Sequence, residues 1–150
     1  MQHSTFIDGT SLGGDGERIA LTDPATAQVS AEFAQSSVAQ AESAVAVARR
    51  AQAAWGSRTP GERSRALLAW ADAIEADAES LADAEVLDTG KPVTVALDGE
   101  LPFAVDNLRF FAGAARSLEG TGAGSLSDGY TSVITRRPVG VVAGITPWNF

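Results

Sequence analysis

Residues 139–145, Val-Gly-Val-Val-Ala-Gly-Ile, are apolar on both alternations. A strand with one solvated face alternates apolar and polar. A short run apolar throughout belongs to a strand covered on both faces, as in a parallel sheet flanked by helices. Thr146, Pro147, Trp148 and Asn149 then leave the sheet, and open α/β sheets bind ligands at such carboxyl ends. Asn149 offers an amide N–H₂, a donor suited to an oxygen that gains negative charge during reaction. This run predicts an α/β class in which helices elsewhere in the chain cover the strand.

Those helices are marked by local signals. Ser37-Val-Ala-Gln40 has the form of a capping box, and Val38, Ala41, Val45, Ala48, Ala51 and Trp55 follow at helical spacing, with Trp55 as a core anchor. In Thr59-Pro-Gly-Glu62, Thr caps, Pro fills the first helical position and Glu reaches back; Leu67, Trp70, Ala71 and Ile74 form the buried stripe. Asp77 is the expected cap of a third helix over about 78–88. Gly90 stops it, and Lys91 supplies positive charge at its carboxyl end. A fourth helix begins near 93 or 101 and runs to 118, with Pro102 at its start or at a kink. Val105, Leu108, Phe111, Ala112 and Ala115 share one face, and Glu100, Phe103, Asn107 and Phe110 another.

Residues 4–9 and 18–21 read as short strands joined by a turn at Gly13-Gly-Asp-Gly16. A turn at 22–26 and a strand at 28–34 complete an antiparallel meander. Residues 120–129 are a Gly/Ser-rich connection. Residues 130–136 alternate as a strand with a polar face, whose edge needs a partner.

Arg137-Pro-Val-Gly-Val-Val-Ala-Gly-Ile-Thr-Pro-Trp-Asn-Phe150 resembles the signature segment of the NAD(P)-dependent aldehyde dehydrogenases. Asp88-Thr-Gly-Lys-Pro92 and Arg109-Phe-Phe-Ala-Gly113 resemble two further segments of that family, in order and at the expected separations, and the likeness covers residues 6–150. It implies the amino-terminal part of the aldehyde dehydrogenase fold: a Rossmann-like parallel sheet with helices, preceded by a small antiparallel meander. Residues 1–128 would be the first part of the cofactor-binding domain, 129–138 an oligomerisation strand, and 139–150 the first strand of the cofactor-binding sheet with its active-site loop.

The resemblance also implies roles. Asn149 would donate to the oxyanion formed when a cysteine thiolate attacks the aldehyde carbon. Ile145, Thr146, Pro147 and Trp148 would line the cleft of NAD, or of NADP in some relatives. Phe103 and Phe150 would wall the substrate tunnel, with Glu100 one turn before Phe103, where a carboxylate could meet a cationic head group. Asp88, with backbone carbonyls at Leu21 and Thr22, would hold a structural Na or K ion. The expected partners are a small-molecule aldehyde and further copies of the chain, in a homodimer or homotetramer. Segments 109–116, 120–124 and 130–138 look most like the γ-aminobutyraldehyde dehydrogenases, with betaine-aldehyde and succinate-semialdehyde enzymes as competitors. A CoA-acylating enzyme is disfavoured by Trp148, since that branch often resembles Pro-Phe-Asn. Two non-catalytic readings stand beside these: a helical interaction module, and a truncated subunit that only assembles with longer chains.

Composition sets the outer limits. The formal charge of −8 argues against nucleic acid and anionic membrane as partners, and no apolar run is long enough to span a bilayer. With no export leader in view, cytoplasm is the default. There is no cysteine. Disulfides and thiol catalysis within these residues are thereby excluded. The resemblance then implies that the nucleophilic cysteine, the general-base glutamate and most of the sheet lie beyond Phe150, and the 150 residues alone are expected to be inactive and only partly ordered.

Overall fold

The structure, a computed structural model, describes residues 4–118, 120 and 122–146. Three two-stranded antiparallel ladders and a set of helices make up the described residues. Strands β1 (Thr5–Ile7) and β2 (Thr10–Leu12) form a hairpin. Its two-residue turn is Asp8-Gly9, both at positive φ (53° and 76°), as tight hairpins of this hand require. The expected pairing of residues 4–9 with 18–21 is therefore corrected: the Asp-Gly signal closes a local hairpin instead. Strand β3 (Arg18–Thr22) pairs with β4 (Val29–Ala34), with a register shift at Leu21/Thr22. The loop between them is tied by Asp23, whose carboxylate accepts from the Ala25 N–H (2.8 Å) and the Thr26 hydroxyl (2.9 Å). These bonds hold its carboxyl below the usual range.

Helix α1 (Val38–Gly56) starts at the predicted box: Ser37 Oγ accepts from the Gln40 N–H, and Gln40 Oε1 accepts from the Ser37 N–H. Such a serine cap is worth about 1 kcal/mol. Helix α2 (Pro60–Ala76) starts the same way at Thr59 and Glu62. Helix α3 (Ala78–Thr89) stops at Gly90, which is left-handed at φ 72°. Asp77 makes no side-chain capping bond, contrary to expectation; it is already the last residue of the α2 turn, at φ −107° and ψ 17°.

The fourth expected helix is continuous but irregular. It consists of α4 (Val93–Val95), a π-helical turn (Ala96–Glu100) and α5 (Leu101–Ala114). The Leu101 N–H bonds back to the Ala96 carbonyl, five residues away. Pro102, next along, has no N–H to give, so the wide turn falls where the regular ladder is already interrupted. The helix ends at Ala114, short of the expected 118.

Helices α2 and α5 make the most extensive helix–helix contact. Its centre is small: Ser64, Ala71 and Ala112 are buried, with Val105 beside them. Among the described residues no large side chain is fully buried. Trp70 is 58% exposed and Trp55 also lies at the surface, so neither is the core residue the helical spacing suggested. Across the outer edge of the pair, Arg109 of α5 donates to Glu75 (2.7 Å) and Asp72 (2.9 Å) of α2.

Strands β5 (Gly124–Ser127) and β6 (Tyr130–Ser132) form a second hairpin around Asp128-Gly129. The strand expected over 130–136 thus stops at Ser132, and its partner is the segment that had read as a flexible connection. Residues 133–146 belong to no helix or strand. The buried strand expected over 139–145 is not formed here, because a strand is defined by its pairing and none of the described strands pairs with it. The segment nonetheless lies along α1: Gly140, Val141 and Ala143 border a hollow with Val45, Arg49 and Gln52. No helix among the described residues is long and apolar enough to cross a membrane.

Candidate functional site

Two places bring sequence-predicted residues together. The first lies at the carboxyl end of α3. Gly90 packs so closely on the loop after β3 that a Cβ there would stand 2.6 Å from Pro24 Cγ. This contact puts the end of α3, with Asp88, beside the chain that leaves Leu21 and Thr22. The Leu21 carbonyl accepts from the Ser30 hydroxyl at 3.2 Å. Asp88 Oδ1 is buried with no hydrogen-bond partner. An orphaned carboxylate oxygen is costly unless something positive completes it. Among the described residues no three His, Cys, Asp or Glu side chains cluster as a metal site, so a cation here would need carbonyl oxygens besides Asp88.

The second place is a cavity of about 520 Å³ between α3 and the α4–α5 helix. Leu81 and Ala82 form one wall; Ala96, Leu101, Phe103 and Ala104 form the other. Its polar members are Glu85, Glu100 and Asn107, and the Asn107 amide donates to the Phe103 carbonyl at 2.9 Å. Glu100 and Phe103, predicted as tunnel residues, therefore do share one cavity. The Glu100 carboxylate accepts from the Lys91 ammonium, which also stands 3.1 Å from Glu85 Oε1. Hydrogen bonding to Glu100, then to Glu85, raises the Lys91 pKa above its ordinary 10.5.

Sequence reasoning saw Lys91 only as a helix-end charge. Its partner lies nine residues on, across the π-helical turn, and no regular spacing marks such a pair.

Ile145 and Thr146 lie in the irregular segment after α1's hollow, and Ile145 is 95% exposed, so neither is used by this chain's own core. Pro147, Trp148, Asn149 and Phe150, which carry the remaining predicted roles, lie outside the described residues.

The model of the Aldehyde dehydrogenase family matches residues 12–150. A fluoroacetaldehyde dehydrogenase of Streptantibioticus cattleyicolor is 40% identical over 145 residues, covering 93% of this chain and 28% of that protein. An acetaldehyde dehydrogenase of Pseudomonas aeruginosa is 38% identical, covering 95% of this chain and 29% of that protein. The crystal structure of PnpE from Pseudomonas sp. WBC-3 superposes with a TM-score of 0.91 at 36% identity, covering 100% of this chain and 31% of that one. A structure of PnpE in complex with nicotinamide adenine dinucleotide matches with a TM-score of 0.85 at 32% identity, over 93% of this chain and 28% of that one. The chain thus spans under a third of the length of the relatives it matches.

Proposed function

The chain belongs to the aldehyde dehydrogenase family, and from that premise we propose that the protein carrying it oxidises an aldehyde to its carboxylic acid with NAD. The observation that carries the reading is the match over residues 12–150, which includes Pro-Trp-Asn-Phe and the apolar run before it. The helices also leave apolar faces open, with Val45, Trp70, Phe110 and Phe111 among the exposed residues. The chain's accessible surface is 11250 Å². A compact chain of this length exposes about 7000–7500 Å². Such faces are what the rest of a family-length protein would cover.

In this reading residues 139–145 become the first strand of the cofactor-binding sheet once neighbouring strands flank them. That strand brings Ile145, Thr146, Pro147 and Trp148 to the cleft at its carboxyl end, where NAD binds, and NADP is the alternative the family offers. Bound NAD supplies the hydride acceptor. What this chain contributes to the chemistry is Asn149. Its amide N–H₂ would donate to the aldehyde oxygen, which becomes an oxyanion when a cysteine thiolate attacks. These residues contain no cysteine, so that cysteine belongs to the remaining length, where the family also places the general base. Phe103 and Phe150 wall the approach and keep water from the reacting carbon. The orphaned Asp88 oxygen, with carbonyls at Leu21 and Thr22, holds a sodium or potassium ion that ties α3 to β3. The β5–β6 hairpin, exposed at Leu126 and Tyr130, joins subunits into a homodimer or homotetramer, and the enzyme works in the cytoplasm.

For the substrate, an aminoaldehyde such as 4-aminobutanal has the local likeness of segments 109–116, 120–124 and 130–138 behind it. Small uncharged aldehydes have the names of the acetaldehyde and fluoroacetaldehyde relatives behind them. The test is NADH formation by the full-length protein, with Asn149→Ala alongside. The variant should lose about 10²–10³-fold in kcat while keeping NAD affinity. No turnover with any aldehyde, or an unaffected variant, would reject the reading.

A further inference from the structure

Glu100 lines the cavity between α3 and α5 together with Phe103, and a cationic aldehyde would need it as a counter-ion. The structure has already given it one. Lys91 donates to Glu100 and also stands 3.1 Å from Glu85, so one ammonium holds a carboxylate on each side of the cavity. The Lys91 side chain is 15% exposed and that of Glu100 25%, whereas Glu85 is 43% exposed on the α3 rim. The Lys91–Glu100 contact is thus the less solvated of the two, where Coulomb attraction is least weakened by water. The rest of the wall is Leu81, Ala82, Ala96, Leu101, Phe103 and Ala104.

We infer that Lys91 sets the charge preference of this cavity: by holding Glu100 it denies a cationic aldehyde its counter-ion, and the cavity takes uncharged, apolar aldehydes. The inference deepens the proposed function and rests on its placing of Phe103 along the substrate approach, in the cavity that Glu100 also lines. A cationic head group at Glu100 must either displace Lys91 or share the carboxylate with it. Sharing sets two like charges a few ångströms apart in a partly dry site. Displacement breaks the Lys91–Glu100 contact, the less solvated of the two. An uncharged aldehyde meets alkyl groups and a ring and disturbs neither contact. Specificity here comes from the penalty set against the wrong substrate. The aminoaldehyde expectation is disfavoured by the same contact.

The probes are betaine aldehyde, a fixed cation at every pH, and its uncharged isostere 3,3-dimethylbutanal. They differ in charge and hardly in shape. With the full-length protein, kcat/KM should favour 3,3-dimethylbutanal by about tenfold or more. Lys91→Met should shift that ratio toward betaine aldehyde by about tenfold, and Lys91→Arg should hold it near wild type. Glu100→Gln removes the less solvated counter-ion of Lys91 and should move the ratio further toward 3,3-dimethylbutanal, never toward betaine aldehyde. Should Lys91→Met fail to fold, the wild-type ratio and Glu100→Gln decide the matter alone. Wild-type preference for betaine aldehyde that collapses in Glu100→Gln would make Glu100 the anchor and overturn the inference, while leaving the dehydrogenase reading intact. Failure to oxidise either probe, or acetaldehyde, would count against the dehydrogenase reading itself.

Discussion

Gly90 lies against Pro24 with no room for a side chain: a Cβ on Gly90 would come within 2.6 Å of Pro24 Cγ, and its φ of 72° is one that L residues avoid. Steric room and backbone conformation make the same demand. Gly90→Ala should therefore destabilise the protein by about 1–3 kcal/mol, the left-handed conformation and the contact each contributing. Thermal unfolding of the full-length protein reads this out as a lower Tm. An unchanged Tm would mean that α3 and the β3–β4 loop do not meet.

Asp88 sits two residues before that contact with a buried, unpartnered oxygen. If a monovalent cation completes it, potassium or sodium should raise Tm relative to choline chloride at equal ionic strength. Asp88→Ala should abolish the difference. Equal melting of wild type in all three salts would leave the oxygen an uncompensated cost and remove the cation from the proposal.

Ala71 and Ala112 are fully buried in the contact of α2 with α5. Ala71→Leu adds volume where the helices already touch and should cost about 1–3 kcal/mol. Urea denaturation measures it. A neutral result would show that the two helices can part at little cost.

Glu62 reaches back to the Thr59 N–H at 2.7 Å and to its hydroxyl at 2.8 Å, and these bonds hold its carboxyl below the ordinary 4.5. A group whose folded pKa is depressed stabilises above its unfolded pKa and stops doing so as pH falls through the folded one. The start of α2 should fray below pH 4.5. Glu62→Gln, which cannot titrate, should show a shallower loss of Tm with falling pH. Identical acid profiles would mean the box contributes nothing measurable.

What could be read from the sequence was local. Both capping boxes and the stop at Gly90 involve residues within four positions of each other, and each formed where the pattern placed it. The two Asp-Gly hairpin turns were equally local and were passed over, so β2 and β5 were missed. Trp70 shows the other limit. Helical spacing assigns it to one stripe with Leu67, Ala71 and Ile74; Ala71 is buried and Leu67 and Ile74 are partly covered, but how far the cover extends round the helix depends on where α5 lies, and Trp70 is left exposed. The family and its fold were legible because three separated segments agreed. The Lys91–Glu100 pair was not, because the π-helical turn between them breaks the periodicity from which a contact could be inferred. Residues 139–145 read as a strand for good reason, yet pairing requires neighbours that none of the described strands supplies.

The alanine-lined centre of the α2–α5 pair has a consequence for how such a sequence can drift. In an interior of large side chains, a loss at one position can be offset by a gain at its neighbour. Ala71 and Ala112 have nothing to give up except to glycine, so nearly every replacement at either adds bulk, and no exchange between them restores the fit. Accommodating a larger residue would require the helix axes themselves to separate, carrying the π-helical turn and Phe103 with α5. These two inconspicuous positions should therefore be among the slowest to vary.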